Sequence, residues 1–297
     1  MSDRAGLVRR EDFFGDPAGW AAVRDLLEDV FGIDLGPLDR LGGPDPSSLP
    51  SAYFDVAGRC VANFTAFSMP LMIDGRTVKA AGLQSGAVRT EYRGRGLFRD
   101  LVRRTLERCD AGGFEAIALY TDKPALYEPY GFSVVPEHRF CGPAPVVPAG
   151  SGPATRRLDL HDAADLALLR RLLRERTPVS QRFAVCGQAT MFLINALFLD
   201  RLTLSHMPTQ DAVIAWRAGD DGTFELLDVI ATEVPLLATI LQALGVRPAR
   251  MEVAFPPDRL DWQGEAVAEA GDLRFMMRGK AGLLPAGPGR LSPMAEF

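Results

Sequence analysis

The residues best suited to chemistry lie in one short stretch, Tyr92-Arg93-Gly94-Arg95-Gly96-Leu97-Phe98. It stands where an alternating apolar segment, 80–88, gives way to a segment of helical period, 97–109. A strand that turns through glycines into a helix builds a place for an anion. Glycines allow tight turns and let a ligand approach the backbone. The first helical turn leaves N–H groups unpaired and carries the positive end of the dipole. A phosphate or diphosphate suits such a place, and Arg93 and Arg95 add charge. No Gly-Lys-Ser/Thr follows, which excludes a Walker loop. The third glycine of the dinucleotide fingerprint is also missing.

The elements that must hold this loop are read from period and punctuation. Leu7-Val8-Arg9 reads as a first strand. Asp16-Pro17 opens a helix whose apolar residues run from Trp20 to Phe31 at helical spacing, and Gly32 stops it. Segment 36–50 holds four prolines and reads as a loop that could border a substrate pocket. Strands are expected over 52–56, 59–67 and 77–88, with Asp74-Gly75 as a hairpin turn. After the glycine loop, Leu97, Phe98, Leu101, Val102, Thr105, Leu106 and Cys109 form one apolar stripe. Segment 114–120 reads as a buried strand. Tyr127-Glu128-Pro129-Tyr130-Gly131-Phe132 follows, and then a strand ending at Phe140. This order describes an α/β domain.

Segment 142–153, rich in proline and glycine, is the best linker in the chain. Beyond it, 162–176 and 235–244 read as helices, and 212–216, 224–230, 251–255 and 273–277 as strands. Run 191–199 is too short to cross a bilayer and reads as a buried helix or strand. The second half therefore repeats the grammar of the first. Asp228-Val229-Ile230-Ala231-Thr232-Glu233 can be set beside Ala87-Val88-Arg89-Thr90-Glu91, but no Gly-Arg-Gly follows the later copy. The expectation is a tandem α/β fold: a domain over 1–141, a linker over 142–154 and a degenerate copy over 155–297.

At 297 residues with 47% hydrophobic residues, the chain can bury two cores. A net charge of −5 argues against nucleic acid as a partner. The four cysteines have no CxxC spacing and there are three histidines, so no metal site is expected. No apolar signal region opens the chain, which points to a reduced, cytoplasmic protein without membrane contact. The edges of two small sheets leave room for self-association.

The YRGRGLF stretch together with Leu126-Tyr127-Glu128-Pro129-Tyr130-Gly131-Phe132 resembles the GNAT superfamily of acyl-CoA N-acyltransferases. The resemblance covers roughly residues 7–140. The paired halves are similar to those of the enhanced-intracellular-survival acetyltransferases, without their third, sterol-carrier-like domain. The resemblance implies a mixed central sheet flanked by helices in each half, and acetyl-CoA as co-substrate. Arg93 and Gly96 match the family's diphosphate motif; Phe98 departs from it, since a small residue is usual there. Gly94, Arg95 and Leu97 complete the loop. Ala87 and Val88 are implied to face the pantetheine arm, freed by a bulge or splay in their strand, with the Val88 N–H donating to the thioester carbonyl. Tyr127 falls on the position of the general acid. The chain-terminal carboxylate of Phe297 falls on the position of a base, while Glu128, Glu137, Asp55 and Asp122 are candidates by type alone. The implied reaction moves an acetyl group to a primary amine of a small-molecule or peptide acceptor, one that negative charge would let be cationic. A non-catalytic acyl-CoA sensor is the alternative. A transferase using aminoacyl-tRNA is a third reading, which the absence of a broad basic surface disfavours.

Overall fold

The structure, a computed structural model, describes residues 6–147, 154–280 and 282–297. Of the linker expected over 142–154, residues 148–153 lie outside the described residues. The first half runs β1 (Val8–Glu11), α1 (Pro17–Phe31), β2 (Leu49–Phe54), β3 (Cys60–Ser68), β4 (Leu71–Ile73), β5 (Arg76–Val78), β6 (Ala80–Val88), α2 (Leu97–Ala111), β7 (Ala116–Thr121), β8 (Ser133–Val134) and β9 (His138–Pro143). The second half runs β10 (Arg156–Arg157), α3 (Ala163–Glu175), β11 (Phe183–Val185), α4 (Ala189–Phe198), β12 (Thr203–Met207), β13 (Ala212–Ala218), β14 (Phe224–Ile230), α5 (Leu237–Leu244), β15 (Arg250–Val253), β16 (Glu265–Ala268) and β17 (Arg274–Gly279).

The helix ends follow from local chemistry. The Asp16 carboxylate accepts the Ala18 N–H, Pro17 fills the first turn, and Gly32 closes α1 at φ 69°. Asp162 caps α3 in the same way, accepting from Ala164 and Asp165. Run 191–199 is helical, as α4, and Gln188 caps it. Segment 36–50, expected as a loop, holds a 3-10 helix over Gly36–Leu41.

Two seven-stranded sheets result, ordered β1-β2-β3-β6-β7-β17-β8 and β10-β12-β13-β14-β15-β9-β16. Position by position they match. In each, a β-α-β unit pairs its strands in parallel: β6 with β7 around α2, and β14 with β15 around α5. In each, the sixth strand comes from the other half. β17 pairs antiparallel with β7 along its full length, from Arg274↔Thr121 to Gly279↔Ala116. β9 pairs with β15 and β16. The strand expected to end the first domain therefore belongs to the second sheet, and the one expected within the second domain belongs to the first. The division expected between 141 and 142 falls inside β9.

The exchange has a packing reason. Phe275, Met276 and Met277 are consecutive and all buried, a pattern that fits a strand covered on both faces. β8, at two residues, is too short to cover β7 alone. The hairpin at Asp74-Gly75 forms as expected, but β4 and β5 leave the main sheet, and β4 pairs with β11 of the second half. One apolar cluster consequently mixes Phe67 and Ala118 with Phe183, Met191, Phe275 and Leu291. Among the described residues no helix is long and apolar enough to cross a membrane, and no group of His, Cys, Asp or Glu could hold a metal ion.

A fragment of residues 1–147 lacks β17 and should leave β7 open at its edge. It is expected to bind a hydrophobic dye and to lose cooperative thermal unfolding. Adding a separately produced 154–297 fragment should restore both properties; a monomeric 1–147 fragment that unfolds cooperatively alone would contradict the shared sheets.

Candidate active site

The site begins with a break in a sheet. β6 pairs with β7 at Ala80↔Ala116, Ala81↔Ile117 and Gly82↔Ala118, and no further. Beyond Gly82 the two parallel strands part. On its other edge β6 pairs with β3 through Thr65↔Gln84 and then Asn63↔Ala87, so β6 carries one extra residue there. Such an insertion is a β-bulge, which bends the strand and re-aims its groups. Ser85 takes the left-handed conformation, φ 58°. The buried Asn63 amide holds the bulge by donating to the Ser85 carbonyl at 3.0 Å and to Thr65 Oγ1 at 3.1 Å. Gly86 is required by space: a Cβ there would lie 2.9 Å from the Phe64 ring.

The parted strands border a cavity of about 530 Å³. Ala87, Val88, Arg93, Phe98, Tyr127 and Phe297 all line it. An adjoining cavity of about 640 Å³ shares Val88, Arg93 and Phe98 with it and adds Gly94, Gly96 and Leu97. The glycine loop lines this second cavity. Gly94 and Gly96 adopt φ 77° and 72°, which glycine takes without strain. Gly96 opens α2 with no side-chain cap, leaving its first-turn N–H groups to a ligand. Arg93 bends back, its Nε donating to the Val88 carbonyl at 3.2 Å. Arg95 departs from expectation. It lines neither cavity; its guanidinium lies over the Tyr92 ring, 4.8 Å from the centroid, and donates to the Glu91 carbonyl. Stacking on this half-buried ring holds it away from the loop.

Tyr127 lies between two 3-10 turns and is 8% exposed. Its ring packs against Phe64, Phe98 and Phe132. Phe98, the departure from the diphosphate motif, thus turns its bulk inward to fix the phenol. The Tyr127 hydroxyl finds no hydrogen-bond partner among the described residues. Burial first, and then the Asp122 charge, push its pKa up to about 12. The phenol stays protonated at neutral pH and can donate into the cavity.

Tyr120 joins this wall, a residue that the spacing did not single out. Its hydroxyl donates to Glu137 at 2.9 Å, and its ring packs edge-on against Phe297. Desolvation raises the Glu137 pKa to about 7, against the opposing pull of Arg290. Arg290 bridges Glu269 at 3.1 Å and Glu296 at 2.7 Å. Of the other carboxylates considered, Asp122 lines the cavity, whereas Glu128 is exposed outside it. Asp55 is spent on its own turn, accepting from Ala57 and Arg59. Gln84 and Ser85, on the bulge, were also missed. The signal for them was glycine inside a strand, at Gly82 and Gly86, which marks a bulge or a close approach.

Among the described residues the second half has no glycine loop of this kind. The segment between β14 and α5 carries no glycine, and α5 starts from Leu236. At the matching strand, Asp228 is buried and paired with Arg176, filling the space with an ion pair.

The profile of the acetyltransferase (GNAT) domain matches residues 18–135. The uncharacterized N-acetyltransferase YhbS of Escherichia coli K12 is 36% identical over 132 residues, covering 44% of this chain and 67% of that protein. Among solved structures, Eis1 from Mycobacterium abscessus aligns with a TM-score of 0.59 at 16% identity, over 92% of this chain and 74% of that one. A probable N-acyltransferase from Enterococcus faecalis V583 aligns with the same score at 14% identity, over 92% and 72%. At these identities the likeness is one of fold, and it extends over both halves.

Replacing Gly86 by valine should force the Phe64 ring aside and close the gap between β6 and β7. Overpacking of this kind costs about 1–3 kcal/mol. The expected outcome is a lowered melting temperature and at least a tenfold loss of CoA affinity by calorimetry, about 1.4 kcal/mol; unchanged affinity would show that the bulge does not shape the site.

Proposed function

Because the chain belongs to the GNAT acetyltransferase family, whose members carry out acyl-CoA-dependent acetyl transfer, we propose that it moves an acetyl group from acetyl-CoA directly to a primary amine. One observation carries this reading. The two cavities share Val88, Arg93 and Phe98, and between them their walls carry the uncapped start of α2, Val88, Tyr127 and Phe297. That is the set of groups a diphosphate, a pantetheine arm and a thioester would need.

In this reading Gly94, Gly96, Leu97 and Phe98 offer backbone N–H groups to the diphosphate, and Arg93 adds a positive charge beside it. Val88 offers backbone groups at the edge of β6 that β7 no longer pairs, and Ala87 stands beside it on the cavity wall to meet the pantetheine arm. The Val88 N–H polarises the thioester carbonyl as charge builds on its oxygen. The amine nitrogen bonds to the carbonyl carbon and the C–S bond breaks. Tyr127 donates to the departing sulfur, so that CoA leaves as the thiol. The amine gives up one proton. We assign its uptake to Glu137, acting through the Tyr120 hydroxyl: as Tyr120 accepts from the amine it passes its own proton to the carboxylate. A chain-terminal carboxylate on Phe297 is the second reading, favoured by the position of that residue on the cavity wall.

Tyr127→Phe should lower kcat by about 10²-fold, the usual range for an acid–base group, while acetyl-CoA binds as before; an unchanged rate would remove Tyr127 from the reaction. Persistent silence of the unaltered protein with every amine, together with tight CoA binding, would favour a sensor.

The pH dependence has a definite sign. Glu137 acts as a base only when ionised, and its pKa lies at about 7. The kcat should therefore rise with pH through about 7 and level off above. Glu137→Gln should abolish that limb. Should the limb persist in Glu137→Gln and vanish when one residue is added after Phe297, the base is the terminal carboxylate.

A further inference from the structure

Next to the thioester cavity lies a second one of about 480 Å³, which shares Phe31, Gln84, Ser85 and Phe297 with it. Its walls come from both halves of the chain: the end of α1, the 36–50 segment, α4 and Leu273 just before β17. Its volume lies within the range of small-molecule sites. It borders the cavity where the amine must attack and shares no lining residue with the cavity at the glycine loop.

Most of its lining is apolar. Trp20, Leu38, Met191 and Ile194 form the interior. Around the mouth stand Phe31 at 51% exposure, Ile33 at 41%, Phe198 at 47% and Leu273 at 48%. Large apolar side chains gathered at one opening and left in water mark a binding surface. Among the described lining residues there is no lysine, arginine or histidine. Of the two carboxylates, Glu296 is paired with Arg290 at 2.7 Å. Asp45 accepts only from the neutral groups of Ser47 and Gln188 and keeps its charge. A polycation entering here would shed water from several ammonium groups and meet one anion in return. An apolar body would lose nothing and cover the exposed rings.

Resting on the acetyl-transfer reading above, we propose that the acceptor is a monoamine with one basic nitrogen and an aromatic or branched aliphatic body, of the arylalkylamine kind. Its nitrogen lies at the junction beside Gln84 and Ser85, and its body fills the α1–α4 cavity. The new bond joins that nitrogen to the acetyl carbon, the C–S bond breaks, and one proton leaves the amine as CoA departs as the thiol. The cationic acceptor that the net charge allowed is thereby narrowed to a singly charged one, because net charge is a property of the whole surface and this cavity holds almost none of it.

The test uses the full chain, with acetyl-CoA and four amines: 2-phenylethylamine, tryptamine, spermidine and kanamycin. Thiol release should be faster with the two arylalkylamines, with kcat/KM about tenfold or more above the other two, a span that pocket contacts can supply. Phe198→Asp and Ile194→Asp should raise the KM for tryptamine about tenfold and leave the Kd of acetyl-CoA unchanged. Phe198 is half exposed, so that variant should fold. A preference for spermidine or kanamycin would overturn the acceptor class while leaving acetyl transfer standing. Octanoyl-CoA turned over better than acetyl-CoA, and impaired by Phe198→Asp, would assign the cavity to an acyl chain and overturn it as well. Tight acetyl-CoA binding with no thiol release from any amine would overturn acetyl transfer, and the acceptor class with it.

Discussion

Two parallel strands that part company in the middle of a sheet set the terms for the rest of this molecule. Backbone N–H and C=O groups buried without partners are costly, so a gap of this kind must be held open and later filled. The gap between β6 and β7 is held from three sides. Asn63 ties down the extra residue of the bulge. Phe64, Phe98 and Tyr127 pack into one aromatic group on the far side. At the apex, Phe67 and Phe297 close over Gly82, where a Cβ would lie 2.4 Å from the first ring and 3.0 Å from the second. A side chain at Gly82 would push out the wedge that keeps the strands apart.

The second half contributes to this site without a loop of its own. Its α4 walls the apolar cavity. Arg290 and Glu296 surround Glu137, and Asn195 on α4 donates to the Glu296 carbonyl at 2.8 Å. The paired surface is therefore a division of labour. One half keeps the glycine loop, and the other has filled the matching position with the buried Arg176–Asp228 pair, to which Ser292 also donates. A pair so enclosed is fixed in place, because removing either partner leaves an uncompensated charge.

Much of this was legible in the chain. The glycine loop, α1 and α2 with their stops, the Asp74-Gly75 hairpin and the repeated β-α-β grammar were written in local signals: caps, positive-φ positions and apolar period. The sequence gives the charge and spacing of Arg95 but not the Tyr92 ring over which its guanidinium lies. The strand exchange was hidden for a deeper reason. An apolar run such as Phe275-Met276-Met277 declares a central strand, but any sheet with a vacant middle position would satisfy it. Two sheets of like topology offer two such positions, and only the joint packing of β8, β7 and the shared apolar cluster decides between them. Tyr120 was hidden likewise, since its value comes from Glu137, brought close by the chain's path rather than by spacing.

The crossing of β9 and β17 bears on how the protein comes into being. The first sheet cannot be completed until residue 279 has cleared the ribosome, although β7 is synthesised long before. Through that interval the β7 edge stands open, with Ala118 and Leu119 bare, as an invitation to neighbouring nascent chains. Domains that fold one after another during synthesis escape this hazard; a pair of halves that trades strands gives up that protection, and the two sheets mature together once both halves have been made.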